Sequence, residues 1–332
     1  MDRMTTRLAA AAAAAGLALL AAGCGGNSAA ATGSKTSPVS ATSAALPSPF
    51  TITARYTAVS LGLTHPEALA LGPDGNLYVT DLSKQVTVIS AAGKVLRRWT
   101  RQGDGHVDFA ANGGPTGKIA AGPDGNLYVS DSGNGRVQVF TAQGRFVRQF
   151  GSYGSGKGHL LTPLDLMVDR AGAVYVTDDQ AGTLSKFSPA GQVIWTIGGS
   201  ASSDADLNGH FHLASIDAHG RLVVVNDDQQ RILYIDPSGH EVDAFSPSTA
   251  GYPGGNVCEA TVDVAGNTYV SGCGPQPTGP TLVYDRAHRL IAKWPGTPYS
   301  LLRSPAFGPR GEVFALATDG TILKLHITVP GA

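Results

Sequence analysis

From Phe50 onward, short apolar runs alternate with polar, glycine-rich breaks, and no stretch keeps the 3.6-residue period of a helix. Residues 118–150 show the unit most clearly. A short strand, Lys118-Ile119-Ala120-Ala121, is followed by a turn, Pro123-Asp124-Gly125-Asn126, and then by Leu127-Tyr128-Val129-Ser130. Asp suits such a turn because it bonds the local backbone, and Gly accepts positive φ. After a loop at 131–135, Arg136-Val137-Gln138-Val139-Phe140 alternates apolar and polar positions. A second turn ends at Gly144, and residues 145–150 alternate again. The pattern predicts four β-strands joined by tight turns.

This unit repeats. The first turn glycine recurs at Gly75, Gly125, Gly172, Gly220, Gly266 and Gly311, with separations of 50, 47, 48, 46 and 45 residues. A period in this range marks a ring or stack of identical supersecondary units. A second turn glycine follows at Gly93, Gly144, Gly191 and Gly239. The sixth unit runs out after its third strand, near Val329, and residues 51–61 have strand character without a partner in their own unit. The expected fold is therefore all-β: a six-bladed propeller of four-stranded antiparallel blades. In it the N-terminal strand supplies the missing strand of the last blade and leaves only short edges.

Residues 125–140 resemble the NHL-repeat signature over their whole length. Leu77-Tyr78-Val79-Thr80-Asp81, Val174-Tyr175-Val176-Thr177-Asp178 and Leu222-Val223-Val224-Val225-Asn226 are looser versions of it, and the last two units carry Gly272 and Ala317 in place of the Asp. The resemblance implies a propeller across about residues 50–329. It does not by itself imply one activity, because such propellers serve as sensing domains, as scaffolds and as enzymes. Similar propellers include streptogramin lyase, the peptide-amidating lyase and gluconolactonase-like enzymes.

Aligning the units on the turn glycine brings together the residues that lead into each inner strand. One position holds His65, Pro115, Thr162, His210, Asn256 and Leu301; two residues on stand Glu67, Gly117, Leu164, His212, Cys258 and Arg303. The next position holds Ala68, Lys118, Asp165, Leu213, Glu259 and Ser304. In a propeller these places surround the channel mouth, so His65, Glu67, Lys118, Asp165, His210, His212, Glu259 and Arg303 are the candidate ligand or metal residues. Histidines with a carboxylate can hold Ca or Zn, which polarises a carbonyl or acidifies a water. The alternative is an ordinary polar rim. The repeated Asp81, Asp131 and Asp178, with Asn226, read as structural groups that bond the backbone, because a repeat keeps what its fold needs.

Cys258 and Cys273 are equidistant from the turn between Ala265 and Gly266. A symmetric hairpin would set them opposite each other and allow a disulfide contributing about 3 kcal/mol. Two free thiols, or a bulge that shifts the register, is the alternative. The stretch at 151–158 imitates a phosphate-binding loop, but Gly158 stands where Ser or Thr is needed and no helix follows. It reads as a connector between blades. Trp99, Phe150, Trp195 and Trp294 end outer strands and read as packing between blades.

The N-terminal residues change the picture of where the propeller works. Arg3 and Arg7 precede an apolar run at 8–22, and Leu20-Ala21-Ala22-Gly23-Cys24 resembles a bacterial lipobox with its Leu one place early. The expectation is a signal peptide over 1–23, a lipidated Cys24, a disordered tether through 49 with Lys35 as its one charge, and the propeller over 50–332. An ordinary secretory signal is the alternative. Either way the chain is expected outside the cytoplasm, touching membrane only through its lipid. Charged residues make up only 15% of the chain and the net charge is −1, which argues against a nucleic-acid partner.

The expected function is a membrane-anchored binding or scaffold propeller that engages an envelope protein or a small molecule at the channel mouth. A metal-assisted lyase or lactone hydrolase is the alternative. A structural envelope protein without a dedicated ligand is a third reading.

Overall fold

The computed structural model describes residues 46–81, 85–100, 118–199, 210–247, 256–273, 280–294, 303–307, 312–317 and 319–329. The expected signal peptide, Cys24 and most of the tether lie outside them.

Six four-stranded antiparallel sheets make six blades. The second blade shows the pattern: Ile119–Ala121, Asn126–Asp131, Arg136–Thr141 and Phe146–Phe150 pair in sequence order. Its second strand is buried at every position but the first, as a strand covered on both faces must be. The outermost strand alternates half-buried and exposed residues as it meets solvent. Clusters of buried side chains join neighbouring blades. Leu69 and Leu77 of the first blade, for example, pack with Phe314 and Ile322 of the sixth.

The last blade is closed as the pattern predicts. Phe50–Tyr56 pairs antiparallel with Ile322–Ile327, placing Phe50 opposite Ile327 and Tyr56 opposite Ile322. This strand stops earlier than residue 61. Thr57 caps a short helix, Ala58–Leu61, its hydroxyl accepting from the Ser60 N–H at 3.2 Å, and Gly62 ends it at φ 61°.

The turn glycines have the expected positive φ, 76° at Gly125 and 85° at Gly144, but for different surroundings. A Cβ at Gly125 would meet no atom within 4 Å, whereas one at Gly144 would lie 2.4 Å from Cγ of Trp99 in the preceding blade. Gly144→Ala is therefore expected to cost about 2–3 kcal/mol, strain plus overpacking, and Gly125→Ala only about 1 kcal/mol. Urea unfolding of the two variants checks the difference; equal losses would mean that the ring of Trp99 gives way freely.

Trp99 itself packs on Phe140 with ring centroids 4.9 Å apart, and Phe150 on Phe187 at 5.1 Å. The Trp195 indole N–H donates to the Pro237 carbonyl at 3.1 Å, and Trp294 meets Phe50 edge-on at 5.7 Å. Each contact crosses from one blade to the next. At 151–158 the Gly154 N–H donates to the Leu160 carbonyl and the Leu160 N–H to that of Ser152. The loop thus closes on its own backbone.

Candidate functional site

Five of the six inner strands carry a register shift near the end where they begin: between Pro66 and Ala68, Pro163 and Leu166, Leu213 and Ser215, Val257 and Glu259, and Arg303 and Ala306. A bulge bends the strand and re-aims a side chain. At this end of the channel four consecutive blades bring one polar side chain each into a single network.

Asp165, from the third blade, is its centre. The residue is only 4% exposed, and its Oδ2 lies 3.2 Å from Nδ1 of His212 and accepts from the Leu213 N–H at 3.3 Å. Its Oδ1 is 3.7 Å from Nζ of Lys118, which donates to Glu259 Oε1 at 3.2 Å. The Asp165 N–H donates to the Thr177 hydroxyl at 3.1 Å and so ties the inner strand to its neighbour. Burial alone would push the Asp165 carboxyl up; Lys118, His212 and the Leu213 N–H together outweigh it and hold the group below its ordinary value. The bond to Asp165 raises His212 above its ordinary value against the opposing effect of burial, helped by the charges of Asp227 and Glu259.

Two carboxylates that the sequence alignment passed over complete the mouth. Asp227 Oδ2 lies 3.8 Å from His212 Nε2, and Asp228 Oδ2 lies 3.1 Å from His210 Nδ1 and accepts from the His210 N–H. Both follow Asn226; Asp227 stands where the third blade has Asp179, and an Asp-Asp after the second strand was the available signal. His210, Asp227 and Asp228 offer ligand atoms that all lie within 4.8 Å of one another.

Of the eight candidates, the structure thus joins Lys118, Asp165, His212 and Glu259 and places His210 beside them in an exposed pair with Asp228. His65 is exposed, with its backbone N–H bonded to Asp81, and Glu67 is half-buried at the bulge of the first blade. The Arg303 side chain lies outside the described residues. The repeated acids are structural in their bonding: Asp81 accepts from the Thr64 and His65 N–H groups at 2.6 and 3.2 Å, and Asp178 from the Thr162 and Ala181 N–H groups at 3.0 and 3.1 Å. Asp131 instead takes Arg136 Nε at 2.7 Å and Gln138 Nε2 at 2.8 Å.

The fifth blade departs from the symmetric hairpin. Asn256, not Cys258, is opposite Cys273, and the shift between Val257 and Glu259 puts a bulge at position 258. The side chains of both cysteines lie outside the described residues.

The NHL-repeat family model matches residues 117–140, in the second blade. That match spans the inner strand, the glycine turn and the two strands that follow. Solved structures extend the likeness to the whole ring. Virginiamycin B lyase from Staphylococcus aureus, in a catalytically inactive form with quinupristin, superposes with a TM-score of 0.58 at 14% identity, over 79% of this chain and 80% of its own. A streptogramin B lyase gives a TM-score of 0.58 at 12% identity, over 84% of this chain and 98% of that one. A Bacteroides caccae protein of unknown function gives 0.52 at 14% identity, over 69% and 81%. At these identities the shared property is the propeller fold. No curated protein matches the sequence.

Proposed function

We propose that the chain is an extracytoplasmic, lipid-anchored binding propeller whose small-molecule ligand sits over the channel mouth and carries positive charge. One observation carries the reading: Asp165, Asp227, Asp228 and Glu259 gather there with two histidines, and among the described residues Lys118 is the one permanent cation beside them. Surplus carboxylates gathered in a partly desolvated place create a negative potential. The same groups suit a divalent cation; His210 with Asp227 and Asp228 offers mixed nitrogen and oxygen donors of the kind Zn and Ca accept. Equilibrium dialysis of the full chain against Ca, Zn and a small polyamine tests this. Stoichiometric binding of at least one is expected, weakened at least about tenfold when Asp227 and Asp228 are both replaced by Asn. Binding of none, or binding indifferent to the replacements, refutes it.

A second reading, a lyase or lactone hydrolase, is favoured by the Asp165–His212 pair. A buried carboxylate on Nδ1 orients the ring and leaves Nε2 directed to the mouth side, where Asp227 lies. That is the arrangement of a general base or acid. The fold likeness to two lyases is consistent with it. In this reading cyclic esters are turned over, and His212→Ala lowers the rate by at least about a hundredfold. An unchanged rate in that variant rules the reading out.

A further inference from the structure

The other end of the channel holds a cavity of about 630 Å³ to which none of the mouth residues contributes. Its wall comes from the far ends of all six inner strands, where Leu69, Ile119, Met167, Ile216, Val262 and Phe307 supply apolar surface. The volume falls within the roughly 300–1,000 Å³ of small-molecule sites, which are mostly apolar with a few placed polar groups.

The carboxylates at this end are already engaged. Asp169 accepts from the Ala171 and Ala173 N–H groups and the Tyr175 hydroxyl. Asp217 accepts from the His219 and Arg221 N–H groups and from Arg221 Nε at 2.7 Å. Asp263 accepts from Asn267 and from the Tyr269 hydroxyl at 2.9 Å. Ser215, in the wall, accepts from the Val262 N–H at 3.0 Å. Three fixed carboxylates discourage an anion, and with three donors each already bound they offer little to a polar ligand.

The lip is distinctive. Two residues before each turn glycine the repeat has Pro73, Pro123, Ala218, Val264 and Pro309, and only the third blade has a charge there, Arg170. Val264 is 82% exposed at the cavity edge. Arg170 is exposed, lines the cavity, and has no ion pair or side-chain hydrogen bond among the described residues. A well with apolar side walls, a polar rim and, among the described residues, one free donor at its lip fits a neutral molecule with an apolar body and one oxygen.

We infer that this well is a second binding site, separate from the mouth, for a neutral medium-chain alcohol or ester whose oxygen accepts from Arg170.

The test uses the full chain and the neutral fluorescent probe 1-aminoanthracene, with decanol as competitor. Saturable enhancement at one probe per chain, displaced by decanol, is expected. Ala121→Trp, which fills the well from the second inner strand, should abolish it. Arg170→Ala, on an exposed turn, keeps the fold and should weaken decanol about fivefold, the worth of one hydrogen bond. Ile194→Ser removes an exposed apolar side chain from an outer strand and should change nothing. The inference is overturned by an absence of saturable enhancement, by decanol affinity indifferent to Arg170→Ala, or by loss of binding in Ile194→Ser, which would put the probe on the outer surface.

Discussion

Phe50→Ala is expected to destabilise the propeller by about 4 kcal/mol, within the range of buried Phe truncations. The ring is 6% exposed, stacks on Tyr269 at 5.3 Å and meets Trp294 edge-on at 5.7 Å. Both partners belong to the fifth blade, while Phe50 begins the strand that completes the sixth. Removing it opens a cavity and loosens the one seam where strands remote in sequence close the ring. Guanidinium unfolding followed by tryptophan fluorescence measures the loss. Thr53→Ala, on the same strand but bonded at the surface to the Lys324 carbonyl, is the comparison and should cost less than about 1 kcal/mol. Equal effects from the two would mean that the closing strand is held by its backbone ladder and not by its anchor.

Asp165→Asn is expected to cost about 3 kcal/mol near neutral pH, because it takes the charge from a buried group that serves Lys118, His212 and the Leu213 N–H at once. The effect depends on pH with a definite sign. The folded-state pKa of Asp165 lies below its unfolded value, so its contribution is complete above about pH 4 and is lost as pH falls through the folded value. The groups facing it, Lys118, His212, Glu259 and Asp227, remain in the variant. The stability difference between wild type and Asp165→Asn should therefore shrink as pH falls below about pH 4, and it should also shrink as pH rises through the raised His212 value, because the carboxylate that holds that proton is gone from the variant. Unfolding curves at successive pH values decide it. A difference that still grows as pH falls below about pH 4 would mean that the carboxyl is protonated in the native state.

Much of the architecture was legible because the repeat enforces it. Each turn needs a residue at positive φ, so glycine recurs at Gly75, Gly125, Gly172, Gly220 and Gly266, and the number of blades follows from counting. The repeated acids were readable as structural for the same reason, and Asp81 and Asp178 do bond the segments leading into their own blades. Aromatic residues at the ends of outer strands were readable as contacts between blades because large apolar rings at a repeated half-exposed place need a neighbour to cover them.

The mouth was only half legible. Alignment could place Lys118, Asp165, His212 and Glu259 at one end of the ring, since a shared repeat position means a shared place. It could not say which of them touch. Bulges in five inner strands turn side chains by amounts no spacing reveals, and the same cause moved Cys258 out of its expected position opposite Cys273. Asp227 and Asp228 escaped notice because the alignment stopped at Asn226, although Asp179 stands at the place of Asp227 in the preceding blade.

The sequence by itself determined the all-β class, the six blades and the way the ring closes, because turn chemistry and strand periodicity are local and repeat along the chain. Only the tertiary structure decided which charges meet around Asp165 and that an apolar well opens at the far end of the channel. Both are assembled from inner strands some 47 residues apart in sequence, and their geometry depends on register and bulges set by packing between blades.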